Sequence, residues 1–116
     1  MASLIAAQEE RVFAVGETNN VSVSFADVLE EGELLTGVPT VVEITTTDLG
    51  IADRKVNTAV LTMGDHIVDI GKAVQFSVKN HVVANSPYTI KITVTTDSTP
   101  AQIKVRGIDF TVEDIT

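Results

Sequence analysis

Tyr88-Thr-Ile-Lys-Ile-Thr-Val-Thr-Thr96 alternates without a fault: apolar side chains fall at 88, 90, 92 and 94, polar ones at 89, 91, 93 and 95. Successive side chains of a strand point to opposite faces, so this stretch has one dry face and one wet face. Tyr88, Ile90, Ile92 and Val94 are expected in a core between two sheets, with Thr89, Lys91, Thr93 and Thr95 outside. A strand this regular requires neighbours, and the rest of the chain is suited to supply them. Of 116 residues, 18 are Val, 10 Ile and 15 Thr, against 6 Leu. Branching at Cβ stiffens χ1 and packs well on a pleated surface, so this bias favours strands.

The same period of two recurs on both sides of the opening stretch. RVFAV (11–15) and NVSVSFADV (20–28) read as strands, the second with Val21, Val23 and Phe25 on one face and Ser22 and Ser24 on the other. LEEGELLTG (29–37) reads as an acidic crossover, PTVVEITTT (39–47) as a third strand and KVNTAVLTM (55–63) as a fourth. DLGIAD (48–53) and GDHIVDIGK (64–72) read as loops, the latter a turn with a short apolar pair. KAVQFSVKN (72–80) and QIKVRGIDFTVED (102–114) complete the set, with Gly107 expected to mark a bulge because the alternation shifts there. About seven strands separated by turn residues are the spacing of an antiparallel β-sandwich. The chain therefore divides into a short N-terminal arm, 1–10, and one all-β domain, 11–116.

Charge and chemistry narrow the function classes. The net charge is −8, with ten acids and one base in residues 1–53 and six acids and seven bases after them. Nucleic-acid binding requires cations that displace phosphate counterions, so this balance points away from it. No run approaches the length of a membrane span, and the start has an apolar run too short for a signal-peptide core and no basic leader. The chain contains no Cys, which removes disulfides, thiolate nucleophiles and thiolate zinc ligands.

His66 and His81 lack the local partners of a zinc site, although Asp65 and Asp69 flank His66. Glu30, Glu31 and Glu33, and Asp48 and Asp53, lack the spacing of a calcium loop and read as solvated turn acids. No nucleophile elbow, phosphate loop or HExxH motif occurs. The expectation is a chain without enzymatic activity, cofactor or metal. Asn20-Val-Ser22 matches the glycosylation sequon and, with no secretion signal beside it, is expected to be a chance match. Tyr88 follows the Asn85-Ser-Pro87 turn at the head of a strand, where its hydroxyl is expected to bond back to nearby backbone.

The order of these features resembles one group of proteins. NVSVSFADVLEEGELLTG (20–37), followed by GKAVQFSVKN (71–80) and NSPYTIKITVTTDS (85–98), is similar to small immunoglobulin-like virion proteins of tailed bacteriophages. The likeness runs over about residues 19–114; HVVAN (81–85) departs from it, where those proteins carry a Gly-rich turn. The resemblance implies an immunoglobulin-like sandwich and a non-enzymatic structural role. A capsid decoration (cement) protein, bound to the shell and to its own copies, is the first expectation. A tail or fibre adaptor is the alternative. Both are assembled in the bacterial host cytoplasm and located in the virion. In that role the arm would dock Leu4 and Ile5 on a neighbour, with Glu9 and Glu10 facing basic partners. An adhesion or glycan-binding immunoglobulin-like module is the reading from another class. It calls for exposed aromatic platforms, and the chain has no Trp and one Tyr.

Overall fold

The computed structural model describes residues 11–82 and 86–114. Nine strands follow in order: β1 (Arg11–Ala14), β2 (Asn19–Ser24), β3 (Leu35–Glu43), β4 (Gly50–Val56), β5 (Leu61–Met63), β6 (His66–Val68), β7 (Ala73–Lys79), β8 (Tyr88–Thr96) and β9 (Ile103–Glu113). A 3-10 turn, Ala26–Val28, follows β2. The strands form a four-stranded sheet in the order β1-β9-β8-β3, a three-stranded sheet β2-β7-β4, and a separate β5-β6 hairpin. With β2, β4 and β7 in the places of strands B, D and E, and β3, β8 and β9 in those of C, F and G, this is the immunoglobulin arrangement. The hairpin is inserted between D and E, and β1 lies parallel to β9 at the sheet's edge.

The core forms because each strand contributes one apolar parity. Val21, Val23, Phe25, Val74, Phe76 and Val78 come from one sheet, and Val41, Tyr88, Ile90, Ile92, Val94, Ile108, Phe110 and Val112 from the other. At about 25 cal/mol per Å² of apolar surface removed from water, such a two-layer core is the dominant stabilising term. Tyr88 stacks on Phe110 with ring centroids 5.2 Å apart, and Phe13 of β1 packs on the same ring at 4.7 Å.

Several strand assignments move. β3 begins at Leu35, inside the stretch read as a crossover, because Leu35 is buried and pairs with Thr96. The expected fourth strand is two: β4 occupies the DLGIAD stretch and ends at Val56, while β5 starts at Leu61. The GDHIVDIGK loop holds β6, joined to β5 by a two-residue turn in which Gly64 takes a positive φ of 67°. Antiparallel pairing holds everywhere except β1 on β9.

Gly107 is not a bulge. The β8–β9 register runs unbroken from Tyr88↔Phe110 to Thr95↔Ile103, through Lys91↔Gly107. Ile103 and Val105 seemed out of step with Ile108 and Phe110 because they point outward, while Arg106 takes the inward slot. Real irregularities lie in β3, between Thr36 and Thr40, and in β4, between Ala52 and Lys55. Pro39 sits within the β3 irregularity, where a missing N–H interrupts no ladder bond.

Candidate interaction face

Three polar side chains, Tyr88, Glu43 and Glu33, are tied to nearby backbone. Tyr88 Oη accepts from the Val82 N–H at 3.0 Å and lies 3.1 Å from Asp48 Oδ2, to which it donates. This is the corner expected from its place after the Pro87 turn. Burial pushes the Tyr88 hydroxyl's pKa up; the Val82 bond opposes that, and Asp48 adds to it. Glu43, at the end of β3, gathers the 43–49 loop: it accepts from Thr45 Oγ1 at 2.7 Å, from the Leu49 N–H at 3.2 Å and from the Thr46 N–H. Burial raises its pKa, but these bonds outweigh it and hold the carboxyl below its usual range. Glu33 accepts from the Glu30 N–H at 3.0 Å, which holds its pKa down, with Ser98 acting in the same direction.

The two histidines are far apart in role. His66 is exposed at the β5–β6 turn, 3.4 Å from Asp65. His81 is buried against Phe13 and Phe110, and its Nε2–H donates to the Ala14 carbonyl at 2.7 Å, which fastens β1 to the domain. Among the described residues no three His, Asp or Glu come together in a way that could hold a metal. Leu4, Ile5, Glu9 and Glu10 lie outside the described residues, so the arm's proposed contacts have no structural description.

Two internal polar anchors carried no sequence signal. Arg106 reaches inward from β9, pairs through Nη2 with Asp27 Oδ2 on the 3-10 turn, and sets its guanidinium carbon 5.5 Å from the Phe25 ring centroid. Asn57 is buried and makes five hydrogen bonds: its Nδ2 donates to the Ala59 and Asp69 carbonyls, and its Oδ1 accepts from the N–H groups of Gly71, Lys72 and Ala73. It thereby clips the base of the β5–β6 hairpin to the start of β7.

The outer surfaces of the two sheets differ in kind. On the three-stranded sheet, Asn20, Ser22, Gln75, Ser77 and Lys55 share one face, with Gln75 Nε2 donating to Ser22 Oγ at 3.3 Å. Arg54 and Lys55, beside the β4 irregularity, border an open cavity of about 430 Å³ there. The four-stranded sheet presents the reverse. Its register sets Thr36, Thr95 and Ile103 in one row, Thr40, Thr93 and Val105 in the next, and Val42, Lys91 and Gly107 in a third. Ile103 is 70% exposed, Val105 53% and Val42 47%. Threonines 36, 40, 93 and 95 separate them, and these rows contain one charge, Lys91, with Asp109 in the row beyond. Exposed apolar side chains grouped on one sheet face make it the candidate interaction surface.

The signal for this face was present in the sequence. QIKVRGIDFTVED has apolar residues of both parities, which a strand wet on one side does not need. No family model, no curated protein and no solved structure matches this chain.

Proposed function

We propose that this chain is a non-enzymatic structural protein of a bacteriophage virion, a decoration protein that binds the capsid shell and its own copies. The observation that carries the assembly part of this reading is the apolar, threonine-lined outer face of β3, β8 and β9. The polar clusters support a non-enzymatic role, since Tyr88, Glu43, Glu33 and Asn57 each serve to bind the chain's own backbone. The immunoglobulin-like topology supports a rigid block whose faces and edges make the contacts. The virion location rests on the sequence resemblance. Many weak, repeated contacts on a symmetric shell would raise effective concentration, so no single contact needs to be strong.

Electron cryo-microscopy of virus particles purified from cells that produce this chain tests the proposal. Density for the domain in clusters on the shell lattice is the expected result. A ring of copies on the tail axis would replace decoration by an adaptor role, and particles lacking the chain would overturn the virion reading altogether.

A further inference from the structure

Gly107 sits in the middle of an eleven-residue strand where a glycine weakens the sheet and leaves no side chain to pack. Three ordinary reasons for such a glycine fail here. The ladder is continuous through it, so it does not serve a bulge. Its φ is outside the left-handed region, so its backbone suits any residue. A Cβ built on it meets nothing nearer than the Ile90 carbonyl oxygen at 3.8 Å, so the chain's own packing does not exclude a side chain. A glycine in a strand also admits the close approach of another molecule, and the dimple opens on the outer face between Val105 and Asp109, beside Lys91.

The shape beside it indicates which molecule. Val105, half exposed, stands two residues away on the same strand and the same face. A protrusion and a dimple two residues apart on one strand are self-complementary. A two-fold axis lying in the interface along the row Val41–Ile92–Arg106 exchanges the rows on either side of it. Each Val105 then enters the dimple over Gly107 of the other copy, Val42 meets Thr40, and Lys91 meets Thr93. Val105 thus faces a glycine and Lys91 a threonine, while Val42 and Thr40 are similar in size. The two exchanged rows contain no acid, and their single cation, Lys91, faces the uncharged Thr93 of the other copy.

We propose that the outer face of the four-stranded sheet is a homodimer interface, packed face to face about this axis, with Val105 of each copy seated over Gly107 of the other. This rests on the assembly reading above for the use of the face, and names the partner as a second copy of this chain.

Sedimentation velocity on the full chain over a concentration series tests it. The wild type is expected to dimerise reversibly. Gly107→Val sets valine against valine and Val105→Gly sets dimple against dimple, so each single variant should raise the dissociation constant by at least about tenfold. The exchange Val105→Gly/Gly107→Val restores the complementarity with the positions reversed, and should bring dimerisation back. Gly107→Val also replaces a poor strand residue by a good one, so its melting temperature should equal or exceed that of the wild type. This separates lost association from lost folding. A wild type that is monomeric at millimolar concentration overturns the inference, as does a double variant no better than the singles. A dimer with no place in a virion would leave the inference standing and remove the proposed function; a monomer that binds the shell would do the opposite.

Discussion

Asn57→Ala removes the side chain that holds the β5–β6 hairpin to the sandwich, and its cost can be worked bond by bond. Five hydrogen bonds disappear, three accepted by Oδ1 and two donated by Nδ2. At about 1 kcal/mol net for each, the upper figure is about 5 kcal/mol. Two of the freed donors keep another acceptor: the Gly71 N–H also reaches the Asn57 carbonyl at 3.1 Å, and the Lys72 N–H the Asp69 carbonyl at 3.3 Å. Ala73 is buried and its N–H loses the Oδ1 acceptor, and an orphaned buried donor costs about 1–3 kcal/mol by itself. With roughly 1–2 kcal/mol for the other bonds, the expected loss is about 2–5 kcal/mol, a large part of the about 5–15 kcal/mol that holds a typical domain. Urea unfolding at pH 7, followed by circular dichroism, should show a lower midpoint at an unchanged slope. Thr58→Ala, at the exposed neighbour, should change stability by less than about 0.5 kcal/mol. A loss below about 1 kcal/mol for Asn57→Ala would refute the claim that this side chain organises the hairpin, since even one orphaned buried N–H exceeds that.

Other residues give shorter tests. Asp27→Ala strands the buried Arg106 guanidinium and should cost about 3–5 kcal/mol in urea unfolding, whereas Arg106→Met, which leaves a part-exposed carboxylate and keeps contact with Phe25, should cost clearly less. Tyr88→Phe takes the acceptor from the Val82 N–H and should cost about 1–2 kcal/mol by the same assay. Because the Tyr88 pKa is raised by folding, its contribution is complete below the ordinary tyrosine value of 10.0 and is lost as pH rises through the folded value. Tyr88→Phe should therefore flatten the alkaline limb of a stability–pH curve. Glu43 and Glu33 behave in the opposite sense: their pKa values lie below the ordinary 4.5, so their contribution is full above it and drains as pH falls. Glu43→Gln should lower stability at pH 7 and shrink the difference between pH 7 and pH 3; an undiminished acid slope would show that other carboxyls carry it.

How far the sequence discloses this molecule depends on what kind of force places each residue. The opening stretch was legible because alternation is a local consequence of burial: Tyr88, Ile90, Ile92 and Val94 are inside, and Thr89, Lys91, Thr93 and Thr95 point out. The Tyr88 corner was legible for a similar reason, since a tyrosine directly after a turn has backbone within reach. β4 was not, because Gly50–Val56 has only partly buried apolar residues and a positive-φ Asp53, so it follows no period. Its existence depends on pairing with β7, a contact made by residues far away in sequence. Arg106 misled for a different reason. A charged residue on the inward parity breaks the apolar pattern, and only the distant Asp27 and Phe25 make that position tolerable. Once Arg106 is assigned inward, Ile103 and Val105 fall on the outer face and Gly107 loses its apparent role as a bulge. The candidate site was thus written in QIKVRGIDF, but its parity could not be read without the partner of one arginine.

The central claim is that the outer face of the four-stranded sheet, and not the polar face opposite, is the surface through which this chain assembles. Hydroxyl-radical footprinting of the assembled protein against the dissociated chain tests it side chain by side chain. Ile103, Val105 and Val42 should lose most of their reactivity on assembly, while Ile67, 72% exposed on the β5–β6 hairpin, and Val60, 54% exposed, should keep theirs. Unchanged oxidation at Ile103 and Val105 in the assembled state, with protection appearing instead around Arg54 and Gln75, would contradict the account.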